Sequence, residues 1–131
     1  MKNKIAGLRF IVTSLCNYDC PICHNEWEPK KREVSGLERD LIDELIVSAK
    51  ELGAQEVDLT GGEPLLRRDK VLHIIRSAKQ QGLWTNLTTN GFYLDENLAD
   101  LQEAGLDEVH VHFPTLNPVR YIQMMGGNSD I

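Results

Sequence analysis

Residues 49–64, AKELGAQEVDLTGGEP, contain the unit that predicts the fold of the whole chain. The stretch joins a helix end to Gly53 and then to EVDLT, a short run in which polar and apolar residues alternate. Glycine just past a helix end supplies a left-handed backbone conformation that residues with a Cβ avoid. The pattern recurs as AKQQGLWTNLTT around Gly82 and as LQEAGLDEVHVH around Gly105. The chain is therefore predicted to repeat a helix–glycine–strand unit.

An amphipathic segment precedes each of these glycines. Ser35 and Glu38 form an S-x-x-E capping box at the start of the first. Asp69 and Asp95 are predicted to open the second and third helices, and Asn117–Pro118 opens a fourth with proline in its first turn. Apolar residues then recur at helical spacing. The predicted inward faces are Leu37, Leu41, Leu45 and Ala49; Leu72, Ile75 and Ala78; and Leu98 and Leu101.

The predicted strands alternate with the helices along the chain. The strands cover residues 8–13, 56–60, 83–89 and 108–113, and the helices cover residues 36–52, 69–81, 95–104 and 118–125. Right-handed crossovers between such elements produce a parallel sheet. The length of 131 residues suits a single domain, residues 1–131.

Each predicted strand has one apolar and one polar face. Strands of a doubly wound sheet are apolar throughout because helices cover both sides. Here the polar face carries Arg9 and Thr13; Asp58 and Thr60; Asn86, Thr88 and Asn90; and His110 and His112. The sequence therefore predicts an α/β fold, a partial TIM-like (β/α) barrel of four parallel strands with helices on the outer face and a polar lumen.

Composition excludes several classes of partner. The net charge of −6 argues against nucleic acid and anionic membranes, and no apolar run is long enough to span a bilayer. The first ten residues lack the core of a signal peptide, so a cytoplasmic location is expected. All three cysteines lie within residues 16–23, an odd number that suits metal or redox chemistry in a reducing compartment.

The loops after the carboxyl ends of barrel strands carry function. Here they are the cysteine cluster, TGGEPLL (60–66), TNG (89–91) and PTLNP (114–118). Iron–sulfur clusters are held by thiolates. Three thiolates at C-x3-C-x2-C spacing would hold a four-iron cube and leave one iron open for chemistry.

These motifs resemble those of the radical S-adenosylmethionine (radical SAM) enzymes. Within that superfamily LRFIVTSLCNYDCPIC (8–23), LTGGEPLLRRD (59–69), TTNG (88–91) and TLNPVRYIQMMGG (115–127) are similar to the N-terminal half of the GTP 3′,8-cyclases, the molybdenum cofactor biosynthesis protein A family. The resemblance covers nearly the whole chain. CHNE (23–26) is also similar to radical activating enzymes, which stay an alternative.

The resemblance implies a [4Fe–4S] cluster on Cys16, Cys20 and Cys23, with S-adenosylmethionine on the fourth iron. Reductive cleavage of S-adenosylmethionine would give a 5′-deoxyadenosyl radical that takes hydrogen from a small-molecule substrate, such as a nucleotide in molybdopterin synthesis. A strongly reducing ferredoxin- or flavodoxin-like protein is the implied electron donor.

Further residues are assigned to S-adenosylmethionine. Gly61 and Gly62 would let the backbone approach the ligand, and the carboxylate of Glu63 would pair with its ammonium group. Thr88 and Asn90 face the lumen as contacts, and Thr115 matches the cyclase motif.

The chain departs from the cyclases at HFPTLNP (112–118), where His112 and Pro114 replace the serine and the acidic residue of SLDTLDP. His110 and His112 would face the lumen, where they could bind substrate, although a structural role is favoured.

Two alternatives stay open. His24 would complete a Cys3His zinc set, and a non-catalytic accessory chain could hold a cluster without performing chemistry. The family's barrel has six strands and its cyclases carry further cysteines, whereas this chain supplies four strands and no cysteine after Cys23. Either the chain is the N-terminal part of a longer enzyme, or a second chain closes the barrel.

Overall fold

The computed structural model describes residues 4–23 and 36–126. Its elements are β1 (Gly7–Ile11), α1 (Arg39–Glu51), β2 (Glu56–Thr60), a 3₁₀ turn (Pro64–Arg67), α2 (Arg68–Gln80), β3 (Trp84–Thr89), α3 (Leu94–Ala104), β4 (Glu108–Val111) and α4 (Pro118–Met125). Ser35 of the predicted capping box and His24 of the zinc hypothesis lie outside the described residues. No helix of the described part is both long enough and apolar enough to cross a bilayer.

The four strands form one parallel sheet in the order β1-β2-β3-β4. The predicted α/β architecture is therefore confirmed, and the sheet is open. The register places Arg9, Asp58 and Asn86 in one row across the polar face, and Thr88 beside His110 in a row nearer the carboxyl ends.

The core lies between the apolar face of β1–β3 and helices α1–α3. Its fully buried side chains include Ile46, Val57, Leu59, Ile75 and Leu87. Complete burial of each such side chain stabilises the fold by about 1.5–3 kcal/mol. The predicted face of α2 is confirmed, since Leu72, Ile75 and Ala78 are all buried.

The predicted face of α1 is partly wrong. The helix begins at Arg39, and it buries Ile42, Ile46 and Ala49. Leu37 and Leu41 remain exposed. The helix carries two adjacent apolar stripes, and the sheet selects the one that contains the two isoleucines. Sequence spacing alone does not distinguish such neighbouring stripes.

In α3, Leu101 is buried as predicted, but Leu98 is exposed. Asn97 takes an inward position instead, and its amide nitrogen donates a hydrogen bond to the carbonyl oxygen of Tyr93 at 2.7 Å.

The apolar face of β4 is not buried as predicted. Val111 and Phe113 are exposed, and Val109 is only partly buried. The reason lies in α4, which packs on the cysteine loop through Tyr121 and Met125. The predicted start of α4 is confirmed, because the side chain of Asn117 accepts a hydrogen bond from the Arg120 backbone N–H at 3.0 Å.

Candidate functional site

The carboxyl-end loops surround a cavity of ≈120 Å³. The predicted site residues that line it are Cys16, Cys20, Gly61, Gly62, Thr88 and Asn90. His112 lines it as well, as do Tyr18 and Met125, which the sequence analysis did not assign to the site. Cys23, Glu63 and Thr115 are not part of the lining. A larger cavity, of ≈850 Å³, between residues 36–39 and 66–70 contains none of the predicted site residues.

The cysteine loop continues the pairing of β1 with β2 beyond the sheet. The Gly62 N–H donates to the carbonyl oxygen of Thr13 at 2.8 Å, and the Glu63 N–H donates to that of Leu15 at 2.7 Å. A Cβ on Gly61 would lie 2.3 Å from the Thr13 oxygen, and one on Gly62 would lie 2.0 Å from the Leu15 oxygen. The glycines therefore let two loops of the chain approach each other. Their predicted contact with a ligand stays a prediction.

The three thiols differ in their surroundings. The Cys16 sulfur accepts a hydrogen bond from the Tyr18 backbone N–H at 3.4 Å, and the Asn90 amide nitrogen lies 3.8 Å away. The Cys20 thiol donates to the carbonyl oxygen of Met125 at 3.3 Å. Cys23 is exposed, and none of the three forms a disulfide. Burial raises the pKa of the Cys16 thiol and the negative charge of Glu63 adds to the rise, against the hydrogen bonds from Tyr18 and Asn90.

The sulfur atoms do not form a preassembled metal site in this structure. Within residues 4–23 and 36–126, no three histidine, cysteine, aspartate or glutamate side chains converge closely enough to hold a metal ion. The Cys20 thiol is directed at the backbone of α4. The assignment of Cys16, Cys20 and Cys23 as ligands therefore stays a prediction.

Glu63 follows the two glycines but is not part of the cavity lining. Its side chain is fully buried, at 0% exposure. One carboxylate oxygen accepts hydrogen bonds from the Leu65 N–H at 3.0 Å and the Thr89 hydroxyl at 2.8 Å, and the other accepts from the Asn90 N–H at 2.8 Å. Pro64 starts the 3₁₀ turn, so Glu63 becomes its N-cap and its side chain folds back over the turn. Direct pairing with a ligand's ammonium group stays a prediction.

Asn90 joins the third loop to the cysteine loop. Its amide nitrogen donates to the side-chain oxygen of Asn17 at 2.7 Å, and its amide oxygen accepts from the Phe92 N–H at 3.0 Å. The sequence analysis missed Asn17. The sequence feature that could have indicated this residue is its amide side chain, directly after the first cysteine.

The two candidate histidines point to different cavities. His112 lines the cavity beside the cysteines. His110 lines a second cavity of ≈390 Å³ on the polar face of the sheet, together with Arg9, Asp58 and Asn86. In that row the Asp58 carboxylate accepts hydrogen bonds from Arg9 and from Asn86, each at 3.2 Å. His110 also lies 2.8 Å from the carboxylate of Glu108.

The start and the end of α4 have structural roles. The Thr115 hydroxyl accepts a hydrogen bond from the Asn117 N–H at 3.2 Å, just before the helix begins. Gly126 ends the helix with a left-handed φ of 59°. A Cβ there would lie 2.0 Å from the carbonyl oxygen of Asp19, so the helix end abuts the cysteine loop. The aromatic rings of Tyr18 and Tyr121 meet edge to face at 6.5 Å.

Comparison with known proteins identifies the relatives of this arrangement. A model of the Radical SAM superfamily matches residues 10–131. Proteins named probable GTP 3′,8-cyclase are similar: that of Methanococcus vannielii is 34% identical over 129 residues (95% of this chain, 42% of the relative), and that of Archaeoglobus fulgidus is 37% identical over 123 residues (94% and 40%). The chain thus spans about two fifths of the length of these relatives.

Two solved structures share the fold. The crystal structure of Streptococcus suis SuiB bound to precursor peptide SuiA has a TM-score of 0.80 at 18% identity, over 98% of this chain and 28% of that one. anSMEcpe with bound AdoMet (S-adenosylmethionine) has a TM-score of 0.67 at 18% identity, over 90% of this chain and 34% of that one.

Proposed function

This chain belongs to the radical SAM superfamily, and on that premise we propose that it is the cofactor-binding core of a radical SAM enzyme with a [4Fe–4S] cluster on Cys16, Cys20 and Cys23. The observation that carries the proposal is the position of the cysteine loop. It follows β1 at the carboxyl edge of the sheet, where two of its thiols share a cavity with the loops after β2 and β3.

The donor set fits such a cluster. Thiolates are the ligands of iron–sulfur clusters, and all three thiols are outside disulfides. Cys16 and Cys20 are partly buried and Cys23 is exposed, so the loop offers donors from the cavity wall to the surface. Ligation would require the Cys20 thiol to leave the carbonyl oxygen of Met125. One-electron reductive cleavage of S-adenosylmethionine is the chemistry that the bound cofactors would supply.

The remaining cavity residues would bind and orient S-adenosylmethionine. Gly61 and Gly62 present backbone at the wall, and Thr88 and Asn90 present a hydroxyl and an amide. We propose these four as direct contacts. Thr115 is not on the cavity wall, so we propose that it supports the site by shaping the start of α4.

For the whole protein we propose a GTP 3′,8-cyclase-like reaction on a nucleotide. The identity of 34–37% to the probable cyclases supports this substrate class. A strongly reducing ferredoxin- or flavodoxin-like protein would supply the electron, and the cytoplasm is the compartment where it would do so. The open edge of β4 is consistent with closure of the barrel by further polypeptide.

Anaerobic reconstitution with iron and sulfide tests the central proposal. We expect about four irons per chain, a reduced-state EPR signal that changes when S-adenosylmethionine is added, and formation of 5′-deoxyadenosine. Cys16→Ala, Cys20→Ala and Cys23→Ala should each lose the cluster. Ser48→Ala, on the exposed side of α1, is the matched control and should keep it. A cluster that persists in the cysteine variants would overturn the ligand assignment, and a cluster without 5′-deoxyadenosine would indicate an accessory chain.

A further inference from the structure

We infer that Glu63 is a positioning residue, which fixes Asn90 and through it the cysteine loop at Cys16. The inference deepens the proposed function, since its importance for the enzyme rests on Cys16 as a cluster ligand. It assigns to this carboxylate an internal role in addition to the predicted ammonium contact, which stays a separate prediction.

Hydrogen bonds from two loops hold the buried Glu63 carboxylate. A fully buried carboxylate is costly unless hydrogen bonds compensate for the lost hydration. Glu63 receives three such bonds from two different loops: one from Leu65 in its own loop, and two from Thr89 and Asn90 at the end of β3. Hydrogen bonds to an ionised acceptor are about twice as strong as those between neutral groups. The carboxylate therefore holds the loops after β2 and β3 at a fixed separation.

Asn90 is held by hydrogen bonds to its backbone and to its side chain. Glu63 holds the backbone N–H of Asn90, and the Phe92 N–H holds the amide oxygen of the side chain. With both fixed, the amide nitrogen faces the cysteine loop, 2.7 Å from the Asn17 side-chain oxygen and 3.8 Å from the Cys16 sulfur. The relay from Glu63 to Asn90 to the Cys16–Asn17 pair thus connects all three loops.

The relay predicts an effect on the cluster as well as on the loops. Hydrogen-bond donors near cluster sulfurs raise the reduction potential, because they stabilise the extra negative charge of the reduced state. Loss of the Asn90 amide, or of the carboxylate that fixes it, should therefore make the midpoint potential of the bound cluster more negative.

Nuclear magnetic resonance of the metal-free chain tests the inference without the cofactor. In Glu63→Gln, we expect amide hydrogen exchange at Asn90 to become about tenfold faster, since its charged acceptor is lost. We also expect the amide resonances of Asn17 and Tyr18 to shift. Asn90→Ala should produce the same shifts at Asn17 and Tyr18 while leaving the Leu65 amide unchanged.

Asp107→Asn is the matched control. This carboxylate also holds a neighbouring strand, through the N–H and hydroxyl of Thr85, but at the opposite end of the sheet. Its shifts should stay near Thr85 and Lys79. Thr89→Val removes one bond to Glu63 and the acceptor of the Gly91 N–H. It replaces Glu63→Gln if that variant does not fold, and should give smaller shifts of the same kind at Asn17 and Tyr18.

Shifts in Glu63→Gln that stop at Leu65, Thr89 and Asn90 would overturn the relay, as would equal shifts of the cysteine loop in the control. A second readout is the midpoint potential of the reconstituted cluster, expected to be more negative in Glu63→Gln and Asn90→Ala; an unchanged potential in both would remove the predicted effect on the cluster. If the unaltered chain assembles no cluster, the proposed function fails, whereas the resonance shifts still decide the inference.

Discussion

Glu63 and Asp107 hold neighbouring strands together at opposite ends of the sheet, and they do so with different chemistry. Asp107 accepts from the N–H and hydroxyl of Thr85 at 2.8 and 3.0 Å and pairs with the Lys79 ammonium at 2.7 Å. Its side chain keeps 19% of its exposure. Glu63 is fully buried and accepts hydrogen bonds from two backbone N–H groups and a hydroxyl.

The difference separates the amino ends of the strands from the carboxyl ends, where the site is proposed. At the amino ends, the Lys79 ammonium and partial exposure to solvent both stabilise the Asp107 carboxylate. At the carboxyl ends, a buried carboxylate is held by two backbone N–H groups and a hydroxyl of the loops after β2 and β3, beside the loop that carries the thiols. Complete burial of a carboxylate is energetically costly. Here it occurs at the carboxyl ends of the strands, where α/β barrels place their functional residues.

The largest effect is expected at the buried carboxylate. Glu63→Ala leaves buried donors unsatisfied and opens a void, so it should lower the free energy of unfolding by about 3–5 kcal/mol. Urea denaturation followed by circular dichroism measures the loss. A loss of less than about 1 kcal/mol would show that water replaces the carboxylate, and the contrast between the two ends would disappear.

Substitution of one glycine at each end of the sheet makes the same comparison for the backbone. Gly62→Ala places a Cβ 2.0 Å from the Leu15 carbonyl oxygen, so the cysteine loop must move, at about 2–3 kcal/mol. Gly82, before β3 at the amino ends, has a φ of 66° and open space around it. Gly82→Ala should cost about 1 kcal/mol through backbone conformation alone. Paired denaturation curves measure both, and iron loading after reconstitution should fall only in Gly62→Ala.

The free energy of unfolding is expected to depend on pH through Asp107. Burial acts to raise the pKa of Asp107, but the hydrogen bonds from Lys79 and Thr85 and the charge of Lys79 outweigh it and hold the pKa below its usual 3.8. A carboxylate with a lowered pKa stabilises the fold fully above its unfolded-state value, and this stabilisation is lost as the pH falls through the folded-state value.

Asp107→Asn should therefore cost about 1 kcal/mol at pH 7, and the difference from the unaltered chain should shrink below pH 3.8. Urea midpoints at about pH 7, 5, 4 and 3 provide the measurement. A difference that stays constant across this range would mean that the charge of Asp107 contributes nothing.

The smallest effect is expected at Leu116, which also lies at the carboxyl end of the sheet but is 90% exposed. Leu116→Ser should change the free energy of unfolding by less than about 0.5 kcal/mol. A larger loss in the same denaturation assay would mean that location at the carboxyl end of the sheet, and not burial of the side chain, determines how much a substitution lowers the free energy of unfolding.

The sequence predicted the order and type of the elements, because each helix–glycine–strand unit is specified locally. The family was also predictable, since the cysteine spacing and GGEP lie within short segments. The inward stripe of α1 was not, because Leu41 and Ile42 are equally apolar and only the assembled sheet selects between them. The exposed face of β4 was missed for a related reason: its covering depends on where α4 packs.

The roles of individual site residues were harder to predict than the site itself. The sequence predicted that Gly61 and Gly62 let the backbone approach a ligand, which stays a prediction, but it gave no sign that the cysteine loop also packs against them. Pairing of Glu63 with a ligand's ammonium group also stays a prediction, whereas its complete burial was not foreseen. Both unforeseen features arise from contacts between loops that are distant in sequence, and no local pattern encodes such contacts.

The contact between Cys20 and Met125 joins positions 105 residues apart. Because synthesis proceeds from the amino end, the thiols leave the ribosome long before the helix that will abut their loop. The entropy of closing so long a segment of chain opposes such a contact, and pairing of the strands reduces this cost by bringing both partners to one edge. The Cys20 thiol therefore cannot make this contact until α4, the last helix of the described part of the chain, has been synthesised.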